Sequence, residues 1–322
     1  MKAWQLQDQW SIDALALVER PQPRPGRGEV LLRMKAASLN YRDLVVLRRG
    51  YGPQTGELPL VPVSDGVGEV VEVGAGVTRA AVGDRVCPHF FQPDGRSLGG
   101  PHDGVLQELM LVDEDGVCKV PSHLSDEEAA TLPCAALTAW SAIVVEGRVK
   151  PGDSVLVQGT GGVSLFALQF ARLCGARVTV VSGSDAKLER AKALGAERGL
   201  NYRTTPEWGK ETGGHDVVVE IGCAQSLPQS LRAVRAGGTI CLIGVVSGQS
   251  MALPLGPIFT RRVRLQGIRV GTPAEFESML RAVEQHRLQP VVDRVFAFDE
   301  LRAALDYLAS GAHFGKICLR IA

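Results

Sequence analysis

An apolar strand pattern, Ser154-Val155-Leu156-Val157-Gln158, runs directly into Gly159-Thr160-Gly161-Gly162-Val163-Ser164 and then into a helical pattern. Val163, Phe166, Ala167, Phe170 and Leu173 recur at helical spacing, and Gly175 supplies a stop. A second strand pattern, residues 177–182, comes directly after. The order is β-α-β, which demands a parallel sheet with a helix across its face. Small residues at such a turn let the backbone approach a pyrophosphate, and the N–H groups at the helix start point at negative charge. The turn alone is a weak signal; the strand before it and the helix after it make dinucleotide binding the reading, against a plain strand–helix turn.

The surrounding pattern extends the unit. Residues 187–194 read as helix, 216–220 as strand, 224–235 as helix and 238–244 as strand. Such alternation predicts a doubly wound parallel sheet, an α/β fold. Residues 1–120 differ, with short valine-rich segments such as 29–34, 68–74 and 82–86 between glycine and proline turns. They predict a partly open β-barrel. Ser125-Asp126-Glu127-Glu128 is a capping box opening a short helix that Pro133 is expected to end. After residue 265 come two helices, from Pro273 to about His286 and from Asp299 to about Ser310, and a strand, residues 316–321, with the texture of the N-terminal part. The expected division is 1–120, 121–265 and 266–322, the last returning to the first.

Charge and cysteine content exclude several classes. Thirty-five basic and 35 acidic residues give a net charge of zero, and hence no electrostatic case for nucleic acid or a membrane surface. No apolar run approaches the roughly 18–20 residues of a membrane span. Met1–Leu6 reads as a first strand rather than a signal peptide, so the cytoplasm is the expected compartment. Seven scattered cysteines without a Cys-x-x-Cys argue against a disulfide framework or a structural zinc cluster.

Stretches along nearly the whole chain resemble the medium-chain dehydrogenase/reductase superfamily, in its zinc-free, quinone oxidoreductase-like branch. They include Ser38-Leu39-Asn40-Tyr41-Arg42-Asp43, Gly66-Val67-Gly68-Glu69-Val70, Val82-Gly83-Asp84-Arg85-Val86, Leu137-Thr138-Ala139-Trp140, the glycine turn, residues 187–196, Asn201-Tyr202-Arg203 and Gly315-Lys316. The resemblance implies a GroES-like catalytic domain built from both ends of the chain, a Rossmann domain between, and a cleft where they meet. At the three positions where zinc members carry Cys, His and Cys, this chain has Asn40, Ser64 beside Asp65, and Cys134. Asn and Ser are poor zinc ligands, so no metal is expected.

By the same resemblance Tyr51 lines the active site as a donor to substrate oxygen, and Asn40 lies near the nicotinamide. Asp43 is open to a loop-shaping role, and His89 to a loop position beside Phe90 and Phe91. The expected cofactor contacts are Gly159, Thr160, Gly161, Gly162 and Val163 at the turn, Thr138, and Gly244, Val245 and Ser247 after the fifth Rossmann strand. Ser182, Ser184, Lys187 and Tyr202 are expected at a ribose 2′-phosphate, and Lys316 near the cofactor phosphates. Thr138 is alternatively a helix cap, and Lys316 a solvated strand-end lysine. The strand at 177–182 ends in Ser182-Gly183-Ser184 without the Asp or Glu that accepts a ribose 2′-hydroxyl in NAD sites, which points to NADPH. The expectation is a zinc-independent NADPH-dependent reductase of quinones, enones or reactive aldehydes, and a homodimer joined along the strand at 263–270. Its alternatives are a zinc-independent NADP-dependent alcohol dehydrogenase and a non-catalytic NADPH-binding structural or regulatory protein.

Overall fold

The computed structural model describes residues 1–248 and 250–322. The chain forms two compact units, one of Met1–Ala135 with Thr272–Ala322, the other Ala136–Gly271. The boundaries thus fall at 135/136 and 271/272, later than the expected 120/121 and 265/266. Composition marks where a segment changes texture, whereas packing decides which core it joins. Ala129, Ala130 and Leu132 are fully buried in the first unit, although their composition resembles that of residues 136–143 in the second.

In the first unit a seven-stranded sheet runs Val292–Ala297, Lys316–Arg320, Glu29–Leu39, Asp65–Val73, Arg85–Pro88 and Val117–Lys119, with Leu109–Asp113 also paired to Glu29–Leu39. The last strand of the chain pairs antiparallel with Glu29–Leu39, setting Ile317 opposite Leu39 and Cys318 opposite Ser38. The return of the C-terminal segment is therefore a sheet pairing. The core gathers Leu6, Val30, Leu32, Met34, Val70, Val105 and Leu106 from the N-terminal part with Leu305, Ile317 and Leu319 from the C-terminal part.

The second unit is a six-stranded parallel sheet in the order Arg198–Asn201, Arg177–Ser182, Ser154–Gln158, His215–Glu220, Val234–Leu242, Arg264–Gly267. Strand order reverses between Ser154–Gln158 and His215–Glu220, so the loops after their C-terminal ends open the crevice where doubly wound sheets bind ligands. The helix Gly162–Leu173 buries Leu165, Phe166, Ala167, Leu168 and Phe170, with Phe170 packed against Phe166 and Trp140. Val234–Leu242 starts earlier than read from sequence, because a bulge lets Val234 pair with His215 before the regular ladder begins at Thr239. The edge strand Arg264–Gly267 is half as long as the apolar pattern suggested.

The capping box at Ser125 is present: Ser125 Oγ accepts the Glu128 N–H and Glu128 Oε2 accepts the Ser125 N–H. Pro133 does not end the helical path. The chain continues through a wide turn at Leu132–Ala136, an α-helical turn at Leu137–Trp140 and a second wide turn at Ser141–Val145. Proline lacks a donor and its ring crowds the carbonyl one turn back, and a wide turn starting at Leu132 accommodates both near its beginning.

Candidate functional site

Each unit carries its own group of candidate functional residues. In the second unit Gly159 adopts φ +74°, a left-handed conformation that favours glycine, and its N–H donates to Val181 O at 2.7 Å. Gly161 is the N-cap of the helix Gly162–Leu173 and makes no side-chain cap. The first N–H groups of this helix are thus left without the side-chain acceptor that usually covers them, the condition for an anion to take its place. Thr160 is buried, and Ser164 Oγ donates to Gln158 O at 2.6 Å, tying the helix start to the strand end.

Beside this turn, Ser182, Gly183, Ser184, Lys187 and Tyr202 come together. Ser184 caps the helix Asp185–Ala193, its Oγ accepting the Lys187 N–H at 3.4 Å, and its hydroxyl still has a proton to donate. Tyr202 lies over Gly183 so closely that a Cβ there would meet its hydroxyl at 2.5 Å. Arg203 joins them, with Nε 3.1 Å from that same point. Arg203 was missed from sequence, although a cation directly after the strand-end Asn201-Tyr202 was its signal. Asp185 is tied to Asn201, whose Nδ2 donates to Asp185 Oδ1 at 2.9 Å.

The loop after Val234–Leu242 is fastened to the neighbouring loop. Ser247 donates from both N–H and Oγ to Gly222 O, at 2.9 and 2.6 Å, and a Cβ on Gly244 would lie 2.6 Å from Ile221 O. Val245 and Val246 are exposed. Thr138 is buried but is no cap: Ala136 holds the N-cap position with helical backbone, because the helical path already runs through it from Leu132.

The first unit gathers Asn40, Arg42, Asp43, Ser64, Asp65, Cys134 and Lys316. Asn40 opens the helix Tyr41–Val46, and its N–H donates to Asp43 Oδ2 at 2.7 Å, so Asp43 does shape this segment. Burial pushes the Asp43 carboxyl up to about 6, against the opposing charge of Arg42. Asp65 is fully buried and accepts from Ser64 Oγ at 2.7 Å and the Cys134 N–H at 3.0 Å. Burial raises its carboxyl above the usual range; the Lys316 ammonium, Asn40 and these two donors act the other way. Val63, just before this pair, sits at φ +73°, a strained conformation for a β-branched side chain.

Lys316 is not placed as expected. It is 3 % exposed, and its ammonium donates to Leu39 O and Asn40 Oδ1, each at 2.6 Å. The strand Lys316–Arg320 lies between two others, so its first side chain turns into the unit, where a buried carbonyl, a carboxamide and Asp65 compensate its charge. Two of its three donors thus serve the Asn40 segment. Tyr51 sits nearby on a loop and is 45 % exposed. Partial burial raises its phenol, opposed by Arg42, which keeps it a proton carrier at neutral pH. His89 is buried edge-on against Phe276 with neither ring nitrogen hydrogen-bonded, and burial lowers it to about 4. It lies in the loop directly after the strand Arg85–Pro88, as expected, but its ring is buried.

This donor set does not fit zinc. Asn40 Oδ1 is committed to Lys316, Ser64 Oγ to Asp65, and burial pushes the Cys134 thiol far above the range in which it is a thiolate. Among the described residues no group of three or more His, Cys, Asp or Glu could hold a metal ion. No helix among them is long and apolar enough to cross a membrane.

Comparison with known proteins agrees with both units. Residues 26–122 match the alcohol dehydrogenase GroES-like domain and residues 162–285 the zinc-binding dehydrogenase family. The chain is 44% identical over 316 residues to a zinc-type alcohol dehydrogenase-like protein of Schizosaccharomyces pombe, covering 91% of each. It is 31% identical over 321 residues to an acryloyl-coenzyme A reductase of Metallosphaera sedula, covering 94% of this chain and 95% of that one. The crystal structure of an NAD-dependent alcohol dehydrogenase superposes with a TM-score of 0.94 at 34% identity, covering 100% of both. The chain belongs to the medium-chain dehydrogenase/reductase superfamily, with a GroES-like unit and a Rossmann unit. Within it the chain is an alcohol dehydrogenase-like oxidoreductase, of a family that binds a nicotinamide cofactor and acts on small molecules.

Proposed function

We propose that this protein is a zinc-independent, NADPH-dependent reductase of an activated carbonyl or conjugated acceptor, such as a quinone, an enone or a reactive aldehyde. The observation that carries the reading is the commitment of Asn40 Oδ1 to Lys316 and of Ser64 to Asp65. A plain ketone gains several kcal/mol of polarisation from a Lewis acid. A conjugated acceptor needs less, because the charge that develops on its oxygen can be met by hydrogen-bond donors. Tyr51 is the proposed donor, a phenol that carries its proton at neutral pH and that partial burial shifts further up. The acryloyl-coenzyme A reductase relative, named for a conjugated thioester, supports the same acceptor class.

The nicotinamide, when bound, supplies the hydride. The glycine turn 159–163, the loop 244–247 and Thr138 are the proposed cradle, without a part for Lys316. Ser182, Ser184, Lys187, Tyr202 and Arg203 support NADPH over NADH. Asp185, the nearest carboxylate in sequence, is engaged by Asn201. The alcohol dehydrogenase part of the names of related proteins favours a second reading, a zinc-independent NADP-dependent alcohol dehydrogenase, whereas the words zinc-type and NAD-dependent in those names run against both readings. We also propose a homodimer through the Arg264–Gly267 edge, beside which Leu255 and Phe259 are exposed. The deciding experiment is NADPH oxidation by EDTA-treated protein over quinones, enones, enoyl thioesters and aldehydes. Turnover only after zinc is returned would refute the proposal, and turnover of alcohols with NADP⁺ alone would favour the second reading.

A further inference from the structure

Below the glycine turn lies a side chain that touches no solvent. Glu220, the last residue of His215–Glu220, is 0 % exposed, and five donors converge on it. Its Oε1 accepts the N–H groups of Gly222 and Cys223, at 2.8 and 3.0 Å, and Ser226 Oγ at 2.6 Å. Its Oε2 accepts Gln158 Nε2 at 2.7 Å and Ser230 Oγ at 2.5 Å.

These donors come from distinct places. Gln158 is the residue before Gly159, and its carbonyl is held by Ser164 of the next helix. Gly222 and Cys223 form the loop on which Ser247 is fastened. One carboxyl thus ties together three loops at the C-terminal ends of strands, where this kind of sheet takes its ligand. A carboxylate suits the place because it is an acceptor on both oxygens.

We propose that Glu220 is the positioning residue of the nucleotide cradle, setting the glycine turn through Gln158 and the 221–226 and 244–247 loops through Gly222 and Cys223. The proposal rests on the reading that the glycine turn binds a nicotinamide dinucleotide. A glutamine at 220 has the same shape but one acceptor oxygen. With that oxygen towards Gly222, Cys223 and Ser226, its NH₂ opposes the NH₂ of Gln158. The Ser230 hydroxyl can rotate to accept, whereas Gln158 must reorient and then presents its own NH₂ to the Ile221 N–H it now accepts at 3.4 Å.

The test is a fluorescence titration of the full-length protein with NADPH, with thermal unfolding alongside. Glu220→Gln raises the NADPH Kd at least about tenfold. Leu231→Val thins the core under the helix Leu227–Ala233 without touching any of these hydrogen bonds, and leaves Kd within about twofold. The exchanged pair Gln158→Glu with Glu220→Gln restores a donor opposite an acceptor, and recovers affinity to within about threefold of wild type. Unchanged affinity in Glu220→Gln overturns the proposal. So does an equal loss in Leu231→Val, which would report only lost stability, or no recovery in a folded exchanged pair; should that pair not fold, the two single variants decide. A wild-type protein that binds neither NADPH nor NADH defeats the nucleotide reading itself, and the proposal with it.

Discussion

Replacing Lys316 by methionine separates two roles that one lysine could have. Methionine keeps the length and apolar body of the side chain and removes the ammonium. The ammonium makes two bonds of 2.6 Å, to Leu39 O and Asn40 Oδ1, at 3 % exposure, and its charge opposes that of the fully buried Asp65. A hydrogen bond to a charged group is worth about 1.5–3 kcal/mol, and breaking a buried pair costs about 3–5 kcal/mol because the remaining charge is left uncompensated. Asp65 can take up a proton, since burial already raises its carboxyl, and that limits the loss. The expected destabilisation is therefore about 3–5 kcal/mol, or roughly 6–20 °C in Tm for a domain of this size. The assay is thermal unfolding by circular dichroism, paired with NADPH titration. A Tm within about 2 °C of wild type together with an NADPH Kd raised more than about tenfold would refute the reasoning and return Lys316 to the cofactor phosphates.

Tyr51→Phe is expected to lower kcat at least about tenfold, or about 1.4 kcal/mol of transition-state stabilisation, with the NADPH Kd little changed; equal turnover on a good acceptor would make Tyr51 a wall residue. Lys187→Ala is expected to erase much of a preference for NADPH over NADH of at least about tenfold while leaving NADH affinity nearly unchanged, and equal wild-type affinities in parallel titrations would refute it. His89→Phe addresses acid stability. The native His89 titrates at about 4 and an unfolded histidine near 6.5, so its stabilising share is complete above 6.5 and fades as pH falls towards 4. Between pH 7 and 5 that share falls by about 2 kcal/mol, and His215, also held at about 4, adds a loss of the same sign. Asp43, raised to about 6, works oppositely and gains stability as pH falls from 6 towards 3.8. Urea midpoints at pH 7 and 5 should differ less in His89→Phe than in wild type, and an unchanged difference would show that His89 does not set the acid limb.

The Rossmann half of the molecule was largely legible because its signals are local. The strand, glycine turn and helix at 154–173 are adjacent in sequence, and the observed Ser154–Gln158 and Gly162–Leu173 match them closely. The Ser125 capping box is local too. Pro133 misled because a breaker signal says that one hydrogen bond is missing, not how the helix responds. Here the turn widens and the chain continues. For Thr138 only the alternative reading as a cap fails: a hydroxyl near a helix start caps it only if the start is there, and the helical path begins earlier.

Residues whose role depends on distant neighbours were the ones sequence could not place. Glu220 reads as the end of a valine strand, and nothing in Val217-Val218-Val219-Glu220 announces donors from positions 158 and 230. Lys316 begins a strand, where a lysine ordinarily reaches water. It is buried because that strand acquires neighbours on both sides, one of them almost 280 residues earlier in the chain. The same pairing brings Asn40 beneath the ammonium, and this fixes what Asn40 can do. With Oδ1 taken by Lys316, the carboxamide retains N–H groups but no equally placed acceptor. A position that holds a metal-binding thiolate in zinc members of the superfamily is here a carboxamide locked to an internal cation. That arrangement removes a ligand by electrostatics as well as by residue type, which is why the charge of Lys316, invisible as a local pattern, bears so directly on the chemistry proposed for this site.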